Sequence, residues 1–600
     1  MLKESQKINF NSRKNKLNNQ PIVLLITICI LLVSASFRLF WLQVLKGDYY
    51  KELSDENRIR LVAIPPIRGR ILDREFKTLV GNRISYSLTV QPRFLSIKAW
   101  NRLSIQLSNL LSISHDEINK IYFKGLEDNL LKITLIRDLS NQKVIKFREK
   151  EEMFKGFEID NEYVRSYPYG SLGVHAFGYT QLITKKEYKK LVKNGYQIND
   201  RIGRTGIEAA YENYLRGEWG GEMLEVDSMG NVQRSLGTNL PKKGQDLVLT
   251  LDLRLQLAAE RALQDKSAGA IIAIDPRTGS ILAMASKPNY DPEFFLKEKV
   301  TQAEYESIFL SETLPLLSRV LNPYDPGSTW KIVTGMAGLE SGKFPPGSEL
   351  FTAPCIQYGG HCFPEHNKKG FGVIGYEDAY RLSSNTFFYQ VGVGSGPSAL
   401  YDAAFKLGFD QFTGIELKPE ESPGLVGNEK WASEGRGWAN PGETPWQIED
   451  MASASIGQSV VQVTPLQVAR AYAVFANGGY LITPHLVTKN IDWRSNTYRK
   501  KVEMKNSTYD TIRNGLRQAV VRGTGMRITY NLSDIPNIAG KTGTAEDSSG
   551  GSDHAWFVCF APYEKSEIVI VAFAQNTPGG GSVHALPMAR QVLETWNLIR

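Results

Sequence analysis

The 600-residue sequence lacks several features that would mark a specialised class. Four cysteines are too few for a disulfide scaffold, and the seven histidines form no His-Glu-x-x-His pattern, which excludes a helix-borne zinc protease site. The net charge of +8 is small and dispersed and gives no reason to expect nucleic-acid binding. With 42% hydrophobic and 22% charged residues, the composition excludes disordered and collagen-like chains. The length predicts more than one folding unit.

Only one apolar run is long enough to cross a membrane. A helix over 21–42 would span about 33 Å, which is sufficient for a hydrocarbon core. Five cations lie in the first sixteen residues, which favours a cytoplasmic tail at 1–20 and an external body, as in a single-pass membrane protein. A cleaved signal peptide is the alternative, because Val33-Ser34-Ala35 has the small residues of a cleavage site. We favour the anchor, since the apolar run resumes after that point.

The segment that follows the anchor, 43–240, predicts a β-rich domain that also contains helices. Alternating polarity over 85–90 predicts a strand, and the apolar spacing over 98–111 and 115–122 predicts helices. Three blocks rich in arginine and glycine are typical of loops whose arginines pair with acids. These blocks are 68–74, 165–179 and 203–208. The polar stretch 237–245 is the predicted main boundary.

The remainder, 241–600, predicts a second domain with strands at both ends and helices between them. A helix at 252–263 precedes a predicted hairpin of strands at 269–274 and 280–285, and apolar strands recur at 556–561 and 568–574. We therefore expect a multidomain α+β protein: one transmembrane helix, a β-rich membrane-proximal domain, and a domain in which helices flank an antiparallel sheet.

The first chemical motif is Ser328-Thr329-Trp330-Lys331, after Pro326 and before an apolar run. A serine at the start of a helix and a lysine three residues later share one face of that helix. A desolvated lysine can take the serine's proton, and the positive helix end favours an oxyanion. Taken alone, a capped surface helix explains the motif better.

The second motif is Ser383-Ser384-Asn385, which lies between two helical-looking segments. Ser383 could supply a proton-relay hydroxyl, and Asn385 an amide for the backbone of a substrate. Taken alone, the motif is an ordinary helix–helix loop.

The third motif is Lys541-Thr542-Gly543-Thr544. Small residues around a lysine and a threonine let an extended peptide pair with a strand edge, with a terminal carboxylate held by Lys541 and Thr542. The alternative is a glycine-rich hairpin with an exposed lysine.

The order of the three motifs is more informative than any of them alone. Ser383 follows Ser328 by 55 residues and Lys541 follows Ser383 by 158, all behind an anchor. On these motifs the chain resembles the class B penicillin-binding proteins, which are monofunctional peptidoglycan D,D-transpeptidases. Three further stretches resemble that family's pedestal-domain motifs, and two resemble its transpeptidase signature. They are 68–74, 165–179 and 206–208 for the pedestal, and Gly457-Gln458 with 464–467 for the transpeptidase.

The resemblance implies a role for each motif residue. Ser328 is the implied acyl-ester nucleophile and Lys331 its base, while Ser383 moves a proton to the departing amine and Asn385 binds donor backbone. The strand with Gly543 binds substrate, and Lys541 and Thr542 hold the terminal D-Ala carboxylate. The backbone N–H groups of Ser328 and Thr544 form the implied oxyanion hole. No cofactor is required for this catalysis.

Within the family, the sequence over 383–390 looks most like elongation-specific penicillin-binding protein 2, although that group more often has Asp at the position of Asn385. The implied ligands are peptidoglycan stem peptides and β-lactams. The implied partners are a SEDS-family glycosyltransferase and other elongation-complex proteins at the membrane, with no nucleic acid. The alternatives are a division-specific relative, an anchored serine β-lactamase, a D,D-carboxypeptidase and a non-enzymatic scaffold.

The pair Cys355 and Cys362, with the nearby His366, predicts either a disulfide or a metal site. Gly359-Gly360 marks a turn that would bring the cysteines together, and outside the cytoplasm a disulfide is the default for such a pair. Cysteine and histidine are also preferred zinc ligands, and some penicillin-binding protein 2 members carry zinc in the corresponding region. We favour a structural zinc by a small margin.

Overall fold

The computed structural model of the chain describes residues 20–46, 59–128, 130, 132–197, 200–227, 232–297, 300–433, 446–488, 495, 498–529, 537–546 and 551–600. Almost all of the predicted cytoplasmic tail, 1–20, therefore lies outside the described residues. The chain divides into two compact units. The first comprises Met1–Pro65, Ser87–Asp160 and Trp219–Pro241, and the second comprises Pro66–Tyr86, Asn161–Glu218 and Lys242–Arg600.

The helices and strands before residue 242 are α1 (Gln20–Phe40), β1 (Ile59–Ile64), β2 (Ile71–Leu72), β3 (Thr78–Val90), α2 (Ile97–Leu111), α3 (His115–Glu127), β4 (Ile133–Leu139), α4 (Asn141–Arg148), β5 (Phe157–Ser166), α5 (Val174–Phe177), β6 (Thr180–Leu182), α6 (Lys185–Leu191), β7 (Arg201–Gly203), α7 (Gly206–Ala210), α8 (Glu212–Leu215), β8 (Gly220–Val226) and β9 (Val232–Asn239).

Those that follow are β10 (Leu247–Val248), α9 (Leu253–Ala262), β11 (Gly269–Ile274), β12 (Ile281–Lys287), α10 (Gln302–Phe309), α11 (Lys331–Ser341), β13 (Glu349–Thr352), β14 (Cys355–Tyr358), β15 (His361–Pro364), β16 (Gly372–Gly375), α12 (Tyr376–Leu382), α13 (Asn385–Ser395), α14 (Pro397–Lys406), β17 (Leu425–Val426), α15 (Glu429–Ser433), α16 (Ile448–Ser455), β18 (Val461–Gln462), α17 (Pro465–Ala476), β19 (Tyr480–Ile482), β20 (Arg499–Lys501), α18 (Asn506–Val521), β21 (Ala539–Ala545), β22 (His554–Ala561), β23 (Ile568–Ala574) and α19 (Ala585–Ile599).

Helix α1 and the helical turn after it form the apolar segment near the N-terminus. The stretch Ile22–Leu45 has 24 residues, a mean hydropathy of 2.5 and none of its most apolar window buried. It is the one helix in the described part of the chain with the length and composition to cross a membrane. This segment fits a single-pass anchor.

The first unit packs amphipathic helices around an aromatic core. Helices α2 and α3 confirm the helices predicted at 98–111 and 115–122. Trp100 of α2 stacks on Tyr122 of α3 with ring centroids 3.6 Å apart, and its other neighbour is Phe157 at 6.0 Å. A separate antiparallel sheet in this unit places β8 between β1 and β9.

The second unit is built on an antiparallel sheet of five strands in the order β12-β11-β23-β22-β21. Strands β11 and β23 have the predicted bounds, and all residues of β22 and β23 are buried. Because side chains alternate along a strand, Ile271 packs with α9 and α19 on one face, and Ile272 packs with α11 and α17 on the other. The predicted antiparallel sheet flanked by helices is confirmed.

The three blocks rich in arginine and glycine meet within the second unit. The buried carboxylate of Glu208 accepts a hydrogen bond of 2.6 Å from Nε of Arg68 and another of 2.6 Å from Nε of Arg165. Arg68 also pairs with Glu212 at 2.6 Å, and Arg165 donates to the carbonyl of Gly69 at 2.7 Å. The predicted pairing of arginines with acids is confirmed, and each charge in this buried cluster has a partner.

Candidate active site

Ser328 lies in a single 3₁₀ turn, Gly327–Trp330, that continues directly into α11. Two close backbone approaches support this turn. The N–H of Gly327 donates to the carbonyl of Gly457 at 2.9 Å, and a Cβ on Gly327 would lie 2.3 Å from the carbonyl oxygen of Thr544. Gly327 has a φ of +52°, so glycine suits the position both sterically and conformationally. Ser328 itself is partly exposed and lies three residues before the first residue of α11, close to the predicted helix start.

Lys331 lies one turn further on and is completely buried. Its Nζ donates to the backbone carbonyl of Ser383 at 2.7 Å and to Oδ1 of Asn385 at 2.7 Å, and lies 3.4 Å from Oγ of Ser383. Burial lowers the pKa of Lys331 to about 7, against the opposing effect of the negative charge of Glu365. This amine can therefore lose its proton near neutral pH.

The side chain of Ser383 contacts both Lys331, on α11, and Lys541, on the central sheet. The residue ends α12 with a φ of +57°, and its Oγ accepts a hydrogen bond of 2.7 Å from Nζ of Lys541. Lys541 also donates to the carbonyl of Thr542 at 3.1 Å. Burial, together with the charge of Lys331, holds the pKa of Lys541 well below its usual range. Ser383 is thus placed to pass a proton between two amines.

Strand β21 presents the third motif at the edge of the sheet, because β22 is its one neighbour in the described strand order. Thr542 is nearly buried, whereas Thr544 is exposed. Gly543 packs so tightly on the serine-bearing turn that a Cβ there would lie 2.9 Å from Cγ2 of Thr329 and 3.1 Å from the carbonyl of Pro326. The described strand order leaves the other side of β21 unpaired, with Thr544 exposed and Lys541 buried, which fits an extended peptide that ends in a carboxylate.

The chain matches two protein families in succession. Residues 63–249 match the penicillin-binding protein dimerisation domain, and 269–594 match the penicillin binding protein transpeptidase domain. It is also 32% identical to the peptidoglycan D,D-transpeptidase MrdA of Acinetobacter baumannii, over 96% of this chain and 87% of that protein. The chain belongs to the penicillin-binding protein 2 (MrdA) family of class B penicillin-binding proteins.

Solved structures of penicillin-binding protein 2 have the same fold. The Helicobacter pylori protein, in a structure of its complex with MreC, superposes with a TM-score of 0.79 at 26% identity, covering 90% of this chain and 99% of that one. A chain of a peptidoglycan synthase complex, described as coordinating polymerization and crosslinking, superposes with a TM-score of 0.71 at 31% identity, covering 97% and 99%.

Two residues of this penicillin-binding protein 2 site were not predicted from the sequence. Thr524, in the loop after α18, places its Oγ1 2.7 Å from Oγ1 of Thr542. Glu365 is buried beneath the Ser383-Ser384-Asn385 turn and binds its backbone and side chains. Neither belongs to a motif, and a lone acid or threonine in a loop carries no local signal that distinguishes it from a surface residue.

The predicted zinc site is wrong. Cys355 and Cys362 are joined in a disulfide with Cα atoms 5.8 Å apart, so neither sulfur is a thiolate that could bind metal. The two residues lie on β14 and β15, which form the hairpin that the glycine turn predicted. Nδ1 of His366 lies 2.9 Å from Oε1 of Glu365. Within the described residues, no group of three or more His, Cys, Asp or Glu side chains could hold a metal ion.

Proposed function

We propose that this chain is the peptidoglycan D,D-transpeptidase of cell elongation and that it works through an acyl-enzyme on Ser328. One observation carries the assignment of the site. The amine of Lys331 is buried one turn after Ser328, its pKa is about 7, and it contacts the Ser383 hydroxyl that Lys541 also binds. The MrdA relatives and the sequence over 383–390 support the elongation role.

Binding of the donor stem peptide uses strand β21. The peptide adds to the sheet edge, and its terminal D-Ala carboxylate is held by Lys541 and the Thr542 hydroxyl, with Thr524 orienting that hydroxyl from 2.7 Å. Asn385 holds the donor backbone through its amide. These contacts place the penultimate D-Ala carbonyl over Ser328.

Acylation follows from the proton positions. Neutral Lys331 takes the proton of Ser328 as Oγ attacks the carbonyl, and the backbone N–H groups of Ser328 and Thr544 stabilise the oxyanion. The hydroxyl of Ser383 passes a proton to the departing amine, and D-Ala leaves. An amine of a neighbouring stem peptide then attacks the ester and forms the cross-link. A β-lactam acylates the same serine, and no step requires a cofactor.

The orientation of the chain in the membrane follows from helix α1 and the cations that precede it. Helix α1 anchors it in the plasma membrane with the N-terminus in the cytoplasm, because five cations precede the apolar run. We assign residues 43–240 to the pedestal and 241–600 to the catalytic domain, both outside the cytoplasm, although the second compact unit also includes Pro66–Tyr86 and Asn161–Glu218. The partners are a SEDS-family glycosyltransferase, which supplies the glycan strands, and further elongation-complex proteins, as the relatives bound to MreC and in a synthase complex suggest.

Labelling with a fluorescent penicillin tests the enzymatic assignment. The full-length protein forms a stable, slowly hydrolysed adduct of one penicillin per chain if it is a transpeptidase, whereas rapid turnover of the drug contradicts the proposal and indicates a β-lactamase. Depletion in rod-shaped cells that depend on this protein tests the cellular role: rounded cells support elongation, and filaments overturn it in favour of division.

A further inference from the structure

The carboxylate of Glu365 is the most heavily hydrogen-bonded acid around the site. Its Oε2 accepts from Oγ of Ser384 at 2.5 Å and from the N–H and Oγ1 of Thr386 at 3.1 and 2.7 Å. Its Oε1 accepts from the N–H of Asn385 at 2.7 Å and from the N–H of His366 at 3.0 Å, with Nδ1 of the same histidine at 2.9 Å. The side chain of Glu365 has no exposed surface.

Two of these donors, the N–H groups of Asn385 and Thr386, are the first backbone groups of helix α13. A helix leaves its first N–H groups without partners inside the helix, and an anion there gains from both hydrogen bonding and the helix dipole. Burial alone would raise the pKa of Glu365. The hydrogen bonds from His366, Ser384 and Asn385, with the charge of Lys331, instead hold that pKa well below its usual range. Glu365 is therefore a permanent anion under the turn.

Glu365 is itself fixed by the disulfide hairpin. Strand β15 ends at Pro364, which pairs with Cys355 of β14, so Glu365 is the next residue after the hairpin. The N–H of Glu365 donates to the carbonyl of Pro354 on the other arm at 2.8 Å. The Cys355–Cys362 bond ties the two arms together, so the hairpin determines where the carboxylate lies.

We infer that Glu365 is a positioning residue for the acyl transfer, with its carboxylate holding Ser383 and Asn385 at hydrogen-bonding distance from the amine of the general base. The inference rests on the proposed function. Ser384 and Asn385 bind the carboxylate directly, and the two oxygen atoms that accept from Lys331 at 2.7 Å belong to Ser383 and Asn385. Without the carboxylate, the turn loses the group that fixes both acceptors.

A second effect distinguishes this role from simple packing. The charged groups near Lys331 are Glu365, which raises its pKa, and the amine of Lys541, which binds the same Ser383 hydroxyl. His366 contacts the carboxylate of Glu365. Removing the charge of Glu365 lowers the pKa of Lys331 below about 7. The pH at which acylation reaches half of its maximum therefore falls.

The test measures the second-order rate constant for acylation by a fluorescent penicillin between pH 5 and 9, with the full-length protein in detergent. We expect Glu365→Gln to lose about 10- to 100-fold in the maximal rate and to shift the midpoint to lower pH. Glu365→Asp keeps the charge, but its shorter side chain moves the carboxylate oxygens away from their donors. We therefore expect a lower acylation rate with the wild-type pH midpoint.

Glu421→Gln is the matched control. Glu421 is also a nearly buried carboxylate that binds the N–H and hydroxyl of a threonine, Thr413, but it does not act on Lys331. This variant is expected to keep the rate within about twofold.

A wild-type rate in either Glu365 variant overturns the inference, as does an unchanged midpoint in Glu365→Gln. If Glu365→Gln does not fold, the acylation rate of Glu365→Asp alone tests the inference: a reduced rate supports it and a wild-type rate overturns it. Labelling that persists in Ser328→Ala contradicts the proposed function instead.

Discussion

The amines of Lys331 and Lys541 meet at one oxygen atom, Oγ of Ser383, at 3.4 and 2.7 Å. The two lysines come from different secondary structures, the first turn of α11 and the edge strand β21. Two buried ammonium groups so close to one hydroxyl repel each other, which favours the loss of one proton. The arrangement favours one neutral amine in the pair and keeps a hydroxyl between them that can pass a proton on.

Ser328→Ala is expected to abolish penicillin labelling and to leave the fold intact. The side chain is partly exposed and only a hydroxyl is removed, so the free energy of unfolding should change by about 0.5 kcal/mol or less. Labelling stoichiometry and a melting curve are measured on the same preparation. An undiminished stoichiometry would exclude Ser328 as the nucleophile.

The acylation rate is expected to rise with pH through a midpoint near 7. The pKa of Lys331 is lowered by burial to about 7, so the amine is protonated and inactive below that pH and a competent base above it. Lys331→Arg cannot supply a neutral base and is expected to remain unlabelled at every pH. The pH dependence of the penicillin acylation rate checks both statements, and a rate that falls from pH 6 to 8 would contradict the role of Lys331.

Lys541→Ala is expected to slow acylation by both stem peptide and β-lactam. Each presents a carboxylate to β21, and losing one charged contact in a buried site costs about 1.5–3 kcal/mol, or roughly 10- to 100-fold. Lys501→Ala, an exposed lysine on β20, serves as the control. A rate within twofold of the wild type would argue against carboxylate binding by Lys541.

Because Cys355 and Cys362 form a disulfide, we expect to count two free thiols per chain after denaturation without reduction. They are those of Cys29 and Cys559. Replacing both paired cysteines with alanine should cost about 2–3 kcal/mol of stability, as is typical for a short closed loop. Thiol counting with elemental analysis is the measurement. Four thiols together with stoichiometric zinc would restore the metal hypothesis.

Gly457→Ala is expected to impair acylation, whereas Gly478→Ala is not. Both glycines have positive φ, at +75° and +84°, so each substitution costs about 1 kcal/mol in backbone strain. Only at 457 would the new Cβ meet other atoms, 2.6 Å from the carbonyl of Gly327 and 2.5 Å from Cβ of Trp330. Acylation rates of the two variants separate displacement of the Ser328 turn from strain alone, and equal rates would show that the turn tolerates the contact.

Local patterns predicted most of the elements. The strand at 269–274 and the helix at 98–111 were predicted almost to the residue, because alternating or 3.6-residue apolar spacing reflects burial against one face. Lys331 and Lys541 were predicted because each lies in a contiguous motif. Glu365 could not be predicted in this way, since its partners are about 20 residues further along the chain and its burial depends on tertiary packing. The cysteine spacing permitted both a disulfide and a metal site, and the wrong one was favoured.

The pairing of β11 with β23 also affects how the protein is made. Ile271 on β11 pairs with Ala572 on β23, roughly 300 residues further along the chain, so the central sheet cannot close until the last strands have been synthesised. Closing a loop of that size has a large entropic cost and slows folding. The segments between the two strands are synthesised first, and their apolar surface stays exposed until the sheet is complete. A nearly complete polypeptide is therefore prone to aggregation until the sheet has closed and Lys541 can reach Ser383.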